Sequence, residues 1–264
     1  MPALQSEISE SDARVKILSS EMFFLPGIAA SIGNTLRGLG EDIRVVVYIR
    51  RPDAYAEAMY KQRVKNGRIA PDPMAYLTRF GEQLRFRPIL TEFENAFGKD
   101  AICVRPFDRA RLDGGNVVQD FWAQLGMGPF SDDDALTGET NKSLSRAVSE
   151  QIGQVAQHTP FNVRVMIRQL IADASPDTRR SNDVYDLETR RNIVEASKAD
   201  LDWLSERFLG GQGPAFQFDD LAADAEDKYP DCEEMLRLER AAIRKVIPLV
   251  GRQMADRQGN ADGE

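Results

Sequence analysis

The chain has 264 residues with 34 Lys and Arg against 42 Asp and Glu, a formal charge of -8 that argues against nucleic acid or an anionic membrane as its main partner. A hydrophobic fraction of 42% and a charged fraction of 29% describe a globular protein that can bury a core without staples. Cys103 and Cys232 are the only cysteines, too few for a disulfide framework or a cysteine zinc site, and they fit a reducing cytoplasm.

Residues 1–14 are polar and acidic, lack the basic and apolar regions of a signal peptide, and are expected to be a flexible start. A short buried strand is expected at 15–18, ending in Ser19-Ser20-Glu21. Ile28, Ile32, Leu36 and Leu39 then recur at helical spacing, with Gly38 and Gly40 as the stop. The strongest strand is 45–49, Val-Val-Val-Tyr-Ile, apolar on successive positions as in a parallel strand covered on both faces. It is far shorter than the roughly 20 residues of a membrane span, and no span is expected.

Pro52 suits the first turn of a helix over 52–66, with Tyr55 and Met59 on one face and Gly67 as its close. Helices near 73–80 and 88–97 lead to a third strand at 101–105. This order predicts an α/β fold, a three-layer parallel sheet wound with crossover helices. After Gly114-Gly115 and a helix over 117–125 the pattern is helical: 143–156, 161–171, 186–208 and 233–246. In the third of these Ile193, Ser197, Leu201, Leu204 and Phe208 keep one face. Residues 1–255 are expected to form one domain, with an acidic linker at 219–234 and a disordered tail at 256–264.

Chemistry concentrates where the best strand meets a helix. Arg50 and Arg51 bring guanidinium forks beside the free amides of a helix starting at Pro52, which is an anion site in outline. The plainer alternative is an ordinary corner in which Asp53 complements the helix dipole and the arginines are solvated. Glu21 is a candidate proton acceptor or a helix-start carboxylate. Ser143 is a candidate phosphate donor or a helix cap. His158 reads as a polar helix boundary, and Cys103 as an inert core thiol.

Val45-Val-Val-Tyr-Ile-Arg-Arg-Pro-Asp53, running into Tyr60-Lys61-Gln62, resembles the 3'-phosphate-binding strand and helix of bacterial sulfotransferases that use 3'-phosphoadenosine 5'-phosphosulfate (PAPS). Ile17-Leu-Ser-Ser-Glu21, Val104-Arg-Pro-Phe107, Leu112-Asp-Gly-Gly115 and Val117-Val-Gln-Asp-Phe-Trp122 resemble further segments of that family. The resemblance spans roughly 15–127 and continues weakly through Asn141-Lys-Ser-Leu-Ser145 to Trp203-Leu204. It implies a P-loop-kinase-like fold and a 3'-phosphate held by Arg50, with Arg51 and Ser143 as helpers.

In the family a serine eight residues beyond that arginine adds a hydroxyl; here the position is Ala58. The family's Pro-Lys-x-Gly-Thr-Thr loop, which holds the 5'-phosphosulfate, has no counterpart before Val15. The start codon is therefore expected to be misplaced, the chain to be a remnant, or another subunit to fill the gap. The implied activity is transfer of a sulfuryl group from PAPS to a hydroxyl of a carbohydrate or small metabolite, leaving adenosine 3',5'-bisphosphate and needing no metal. The alternative is an inactive sulfotransferase-like protein that binds nucleotide or serves as an interaction module. An oligomer covering an exposed sheet edge is a further expectation.

Overall fold

The computed structural model describes residues 2–36, 42–127, 143–173, 175–211, 213–222 and 229–261. Helix dominates them. The described helices are α1 (Pro2–Glu10), α2 (Ile28–Leu36), α3 (Pro52–Lys65), α4 (Pro73–Phe80), α5 (Arg87–Phe97), α6 (Val117–Gln124), α7 (Arg146–His158), α8 (Val163–Ala172), α9 (Leu187–Ala196), α10 (Lys198–Phe208) and α11 (Cys232–Ala261). The described strands are β1 (Val45–Ile49) and β2 (Ile102–Pro106), paired in parallel with Val45 opposite Ile102 and Ile49 opposite Pro106.

The three-layer sheet is therefore not what forms. Two of its three expected strands are present and parallel, but residues 15–18 are unpaired, with Ile17 52% and Leu18 38% exposed. An apolar run becomes a strand only where a partner edge accepts its backbone, and among the described residues none does. None of the described helices is long and apolar enough to cross a membrane.

The described chain divides into two compact units. Unit 1 comprises Met1–Arg51, Arg85–Ala135 and Ser197–Phe216; unit 2 comprises Pro52–Leu84, Leu136–Ala196 and Gln217–Glu264. The helix expected over 186–208 breaks at Ser197, so α9 belongs to unit 2 and α10 to unit 1.

In unit 1 α5 packs on β2 and on α2, burying Ile89, Leu90, Phe93, Ile102 and Val104. Opposite side chains of β2, Cys103 and Arg105, meet Gln124 and Asp120 of α6. In unit 2 α3 lies against α7, and Gly153 is what allows it: a Cβ there would sit 2.2 Å from the Val64 carbonyl oxygen. Ala56, Tyr60 and Val64 form the buried face of α3; of the two expected residues Met59 packs half-buried against this core, and Tyr55 is half-buried. Leu238, Ala242, Val246 and Leu249 of α11 close a second core with α7 and α8.

The terminal expectations also shift. Residues expected as a flexible start form α1, and α11 carries helix to Ala261 through most of the expected tail. The acidic stretch holds a 3-10 turn at Asp219–Leu221 and the first turn of α11. Gly38, Gly40, Asn141 and Lys142 lie outside the described residues.

Candidate functional site

The two strands end together. Phe107 N–H donates to the Ile49 carbonyl at 2.7 Å, one residue beyond the ladder, and this bond fixes where both strands let the chain out. Arg50 continues β1 into solvent with its guanidinium carbon 4.6 Å from the centroid of the Phe107 ring. Tyr48 meets the same ring edge-on at 6.5 Å. Carboxyl ends of parallel strands are where open α/β sheets bind ligands. Here that end presents a cation on an aromatic face.

Beneath it sits a carboxylate with its donors aligned. Asp120, fully buried on α6, accepts from Tyr48 Oη at 2.7 Å, Arg105 Nε at 3.1 Å and the Asp113 amide at 3.0 Å, and its second oxygen also meets Arg105 Nη2. Burial alone would raise its pKa, but these donors, Arg105 foremost, hold the carboxyl below the usual carboxylate range. Burial and the same hydrogen bond push the Tyr48 phenol well up, so it stays protonated and donating.

Arg105 is held by this cluster, and Arg50 stands exposed one residue beyond β1. The turn delivering the Asp113 amide depends on Gly114 at φ 63°, where a Cβ would meet the Gln119 side-chain oxygen at 2.0 Å. Val104-Arg-Pro-Phe107, Leu112-Asp-Gly-Gly115 and Val117-Val-Gln-Asp-Phe-Trp122 thus converge on Asp120, a junction that the sequence did not disclose.

The remaining sequence candidates are more scattered. Arg51 is half-buried and closes unit 1, and Pro52 opens unit 2. In unit 2 the first turn of α3 already carries a carboxylate, Asp53, bonded to Arg190 Nη1 at 2.9 Å. Glu21 is exposed and opens a 3-10 turn capped by Ser20. Ser143 is exposed and is not the helix cap; Ser145, two residues on, caps α7 through the Val148 amide at 3.4 Å. Cys103 is half-buried with its thiol 3.3 Å from Gln124 Oε1 and its pKa raised, chiefly by burial. His158 is the last residue of α7.

No family model, curated protein or solved structure matches this chain. Its own residues therefore carry the functional reading.

Unit 2 holds the largest buried charge cluster among the described residues. Asp53, Glu57 and Lys61 occupy one face of α3 at four-residue spacing, and none is more than 5% exposed. Arg190 Nη2 meets Glu57; Lys61 bonds Glu57 at 2.8 Å and lies against Asp183 Oδ1 without an aligned hydrogen bond. Asp183 Oδ2 accepts the Arg146 amide at 2.7 Å, and the Asn182 amide donates to Glu57 at 2.8 Å.

Asp53, Glu57 and Asp183 meet Lys61 and Arg190 in a nearly dry core, where each charge depends on its partners. The two neighbouring acids respond in opposite directions. Burial raises the Asp183 carboxyl above the usual range, whereas Lys61 and Arg190 overcome the burial of Glu57 and hold it below. The cluster ties α3 to α9 and to the 180–185 segment. Its spacing was visible in the sequence, but its burial was not.

Proposed function

We propose that this protein is sulfotransferase-like and binds a 3'-phosphorylated adenosine nucleotide, PAPS or adenosine 3',5'-bisphosphate, at the carboxyl ends of β1 and β2. The observation that carries this reading is Arg50, exposed at the end of a parallel strand and stacked on Phe107. Arg50 supplies a planar fork suited to a phosphate, and Arg51 adds a second positive charge to the same corner. Phe107 offers an aromatic face to a purine or to the guanidinium itself. Asp120 keeps Arg105 out of competition and locks the strand ends, so the site is organised before ligand arrives.

Sulfuryl transfer asks for more. The acceptor oxygen must bond to sulfur as the sulfur bond to the 5'-phosphate oxygen breaks, with the hydroxyl proton going to a base. This reading assigns that base to Glu21 and the acceptor to a carbohydrate or small-metabolite hydroxyl. The 264 residues contain no Lys-x-Gly-Thr-Thr sequence to stabilise the leaving phosphate. Single donors of that kind are worth about 2.7 to 4 kcal/mol. By themselves these residues are expected to bind nucleotide and to transfer sulfate negligibly.

Calorimetric titration with adenosine 3',5'-bisphosphate tests the site. Arg50→Ala should weaken binding by at least about tenfold, as for loss of a charged hydrogen bond, while the exposed control Arg164→Ala leaves it unchanged. Equal binding by the two variants would refute the assignment of Arg50. Clear turnover of radiolabelled PAPS with glycan acceptors would show that the phosphosulfate clamp lies elsewhere in these residues.

A further inference from the structure

In unit 1 β2 has a second long edge that no strand of the described residues covers. Its outward backbone groups are set by the register. Phe107 N–H donates to Ile49, and Ile49 lies opposite Pro106. In a parallel ladder this turns the amides and carbonyls of Cys103 and Arg105 toward β1 and those of Ile102, Val104 and Pro106 away from it. The Ile102 amide is spent on the Lys99 carbonyl, and Pro106 has no amide hydrogen. What remains is one donor, Val104 N–H, and three acceptors, the carbonyls of Ile102, Val104 and Pro106.

Along this strand runs an open groove of about 660 Å3, lined by residues 100–106 and by Arg44, Arg111, Phe208 and Leu209. Its charge is mainly positive, with Arg44, Arg105 and Arg111 against one carboxylate, Asp100. Arg105 is matched by Asp120, but Arg44 donates to the Gln124 carbonyl at 2.8 Å and Arg111 to the Pro214 carbonyl at 2.5 Å. Neither has an acidic partner among the described residues. Arg44 immediately precedes β1, at the start of the ladder, whereas the Arg111 backbone bonds Arg105 near its end. At about 3.3 Å per residue, the length between them is that of a strand of roughly four to five residues.

We propose that this groove docks an extended acidic segment of a partner protein, which adds to β2 as a third strand with carboxylates meeting Arg44 and Arg111. The bare edge supplies main-chain pairing, and the two arginines supply a sign opposite to the net charge of the chain, -8. That net charge also disfavours a second copy as the occupant, because two such chains repel. Acids two or four positions apart fall on one face of the added strand and can reach both arginines.

Fluorescence anisotropy with a labelled eight-residue peptide of alternating Val and Glu tests the proposal on the full chain. The peptide should bind, its Val-Lys counterpart should not, and Arg44→Gln and Arg111→Gln should each weaken binding by about three- to tenfold. The same Val-Glu peptide N-methylated at alternate amides should fail to compete on the unaltered chain, a readout independent of whether either variant folds. Competition by the methylated peptide at equal strength would overturn the strand-addition geometry. Unchanged binding by both folded variants would overturn the role of the arginines. Sedimentation showing a dimer that Arg44→Gln dissolves would give the edge to a second copy and overturn the assignment to a separate partner.

Discussion

The two units use buried charge in opposite ways. In unit 1 a single carboxylate, Asp120, gathers Tyr48, Arg105 and the Asp113 amide, and its charge is matched by one arginine that keeps partial contact with water. In unit 2 Asp53, Glu57 and Asp183 face Lys61 and Arg190 with almost no water contact. A partly solvated cluster organises a surface without much liability. A dry cluster is sensitive to every partner removed and to pH. At the strand end Arg50 keeps an exposed position on the Phe107 ring, whereas Lys61, close to it in sequence, is buried in the charge cluster.

Removing Arg190 should break this comparison most severely. Arg190→Met takes the guanidinium away from the buried Asp53 and Glu57 and is expected to cost about 3 to 5 kcal/mol, read as a lower urea midpoint for unit 2 or as loss of soluble protein. Asp120→Asn weakens charged hydrogen bonds that remain partly solvated on the Arg105 side. A loss of about 1.5 to 3 kcal/mol is expected from urea melts. An effect equal to that of Arg190→Met would erase the distinction between the units.

The pH response sharpens it further. The folded carboxyl of Asp183 titrates above its unfolded value of 3.8, so its contribution is fully present below that value and is lost as pH rises through the folded one. Asp120 and Glu57 titrate below their unfolded values, 3.8 and 4.5, so their contributions are present above those values and are lost as pH falls through the folded ones. Asp183→Asn mimics the protonated acid. It should flatten the decline of unit 2 stability as pH rises above 3.8 and leave the acid-side loss intact, as measured by urea midpoints across a pH series. A decline unchanged in the variant would place that titration on another group.

The smallest effect is expected at the strand ends. Phe107→Leu removes the ring under Arg50, a contact worth about 0.5 to 1 kcal/mol at an exposed site. It should weaken adenosine 3',5'-bisphosphate by about two- to fivefold with little change in the urea midpoint. A large loss of stability with unchanged binding would make Phe107 part of the core and not of the site.

Several features were legible in the residues alone. Five apolar residues in a row followed by Arg-Arg-Pro announced β1, the strand-end cations and the start of α3 together. Helical spacing also located α5, α6 and α8 to within a residue or two, because local periodicity and proline stereochemistry act over a single turn.

What the sequence could not determine was pairing and burial. Residues 15–18 have a strand's composition but pair with neither strand, and the apolar pattern over 186–208 continues through Ser197, where the chain passes from one unit to the other. The burial of Asp53, Glu57 and Lys61 depends on Arg190, more than 120 residues away along the chain, whose guanidinium meets Asp53 and Glu57. A charged residue is driven inside only by partners that match it, and those partners are brought near by the tertiary fold and by nothing in the local sequence.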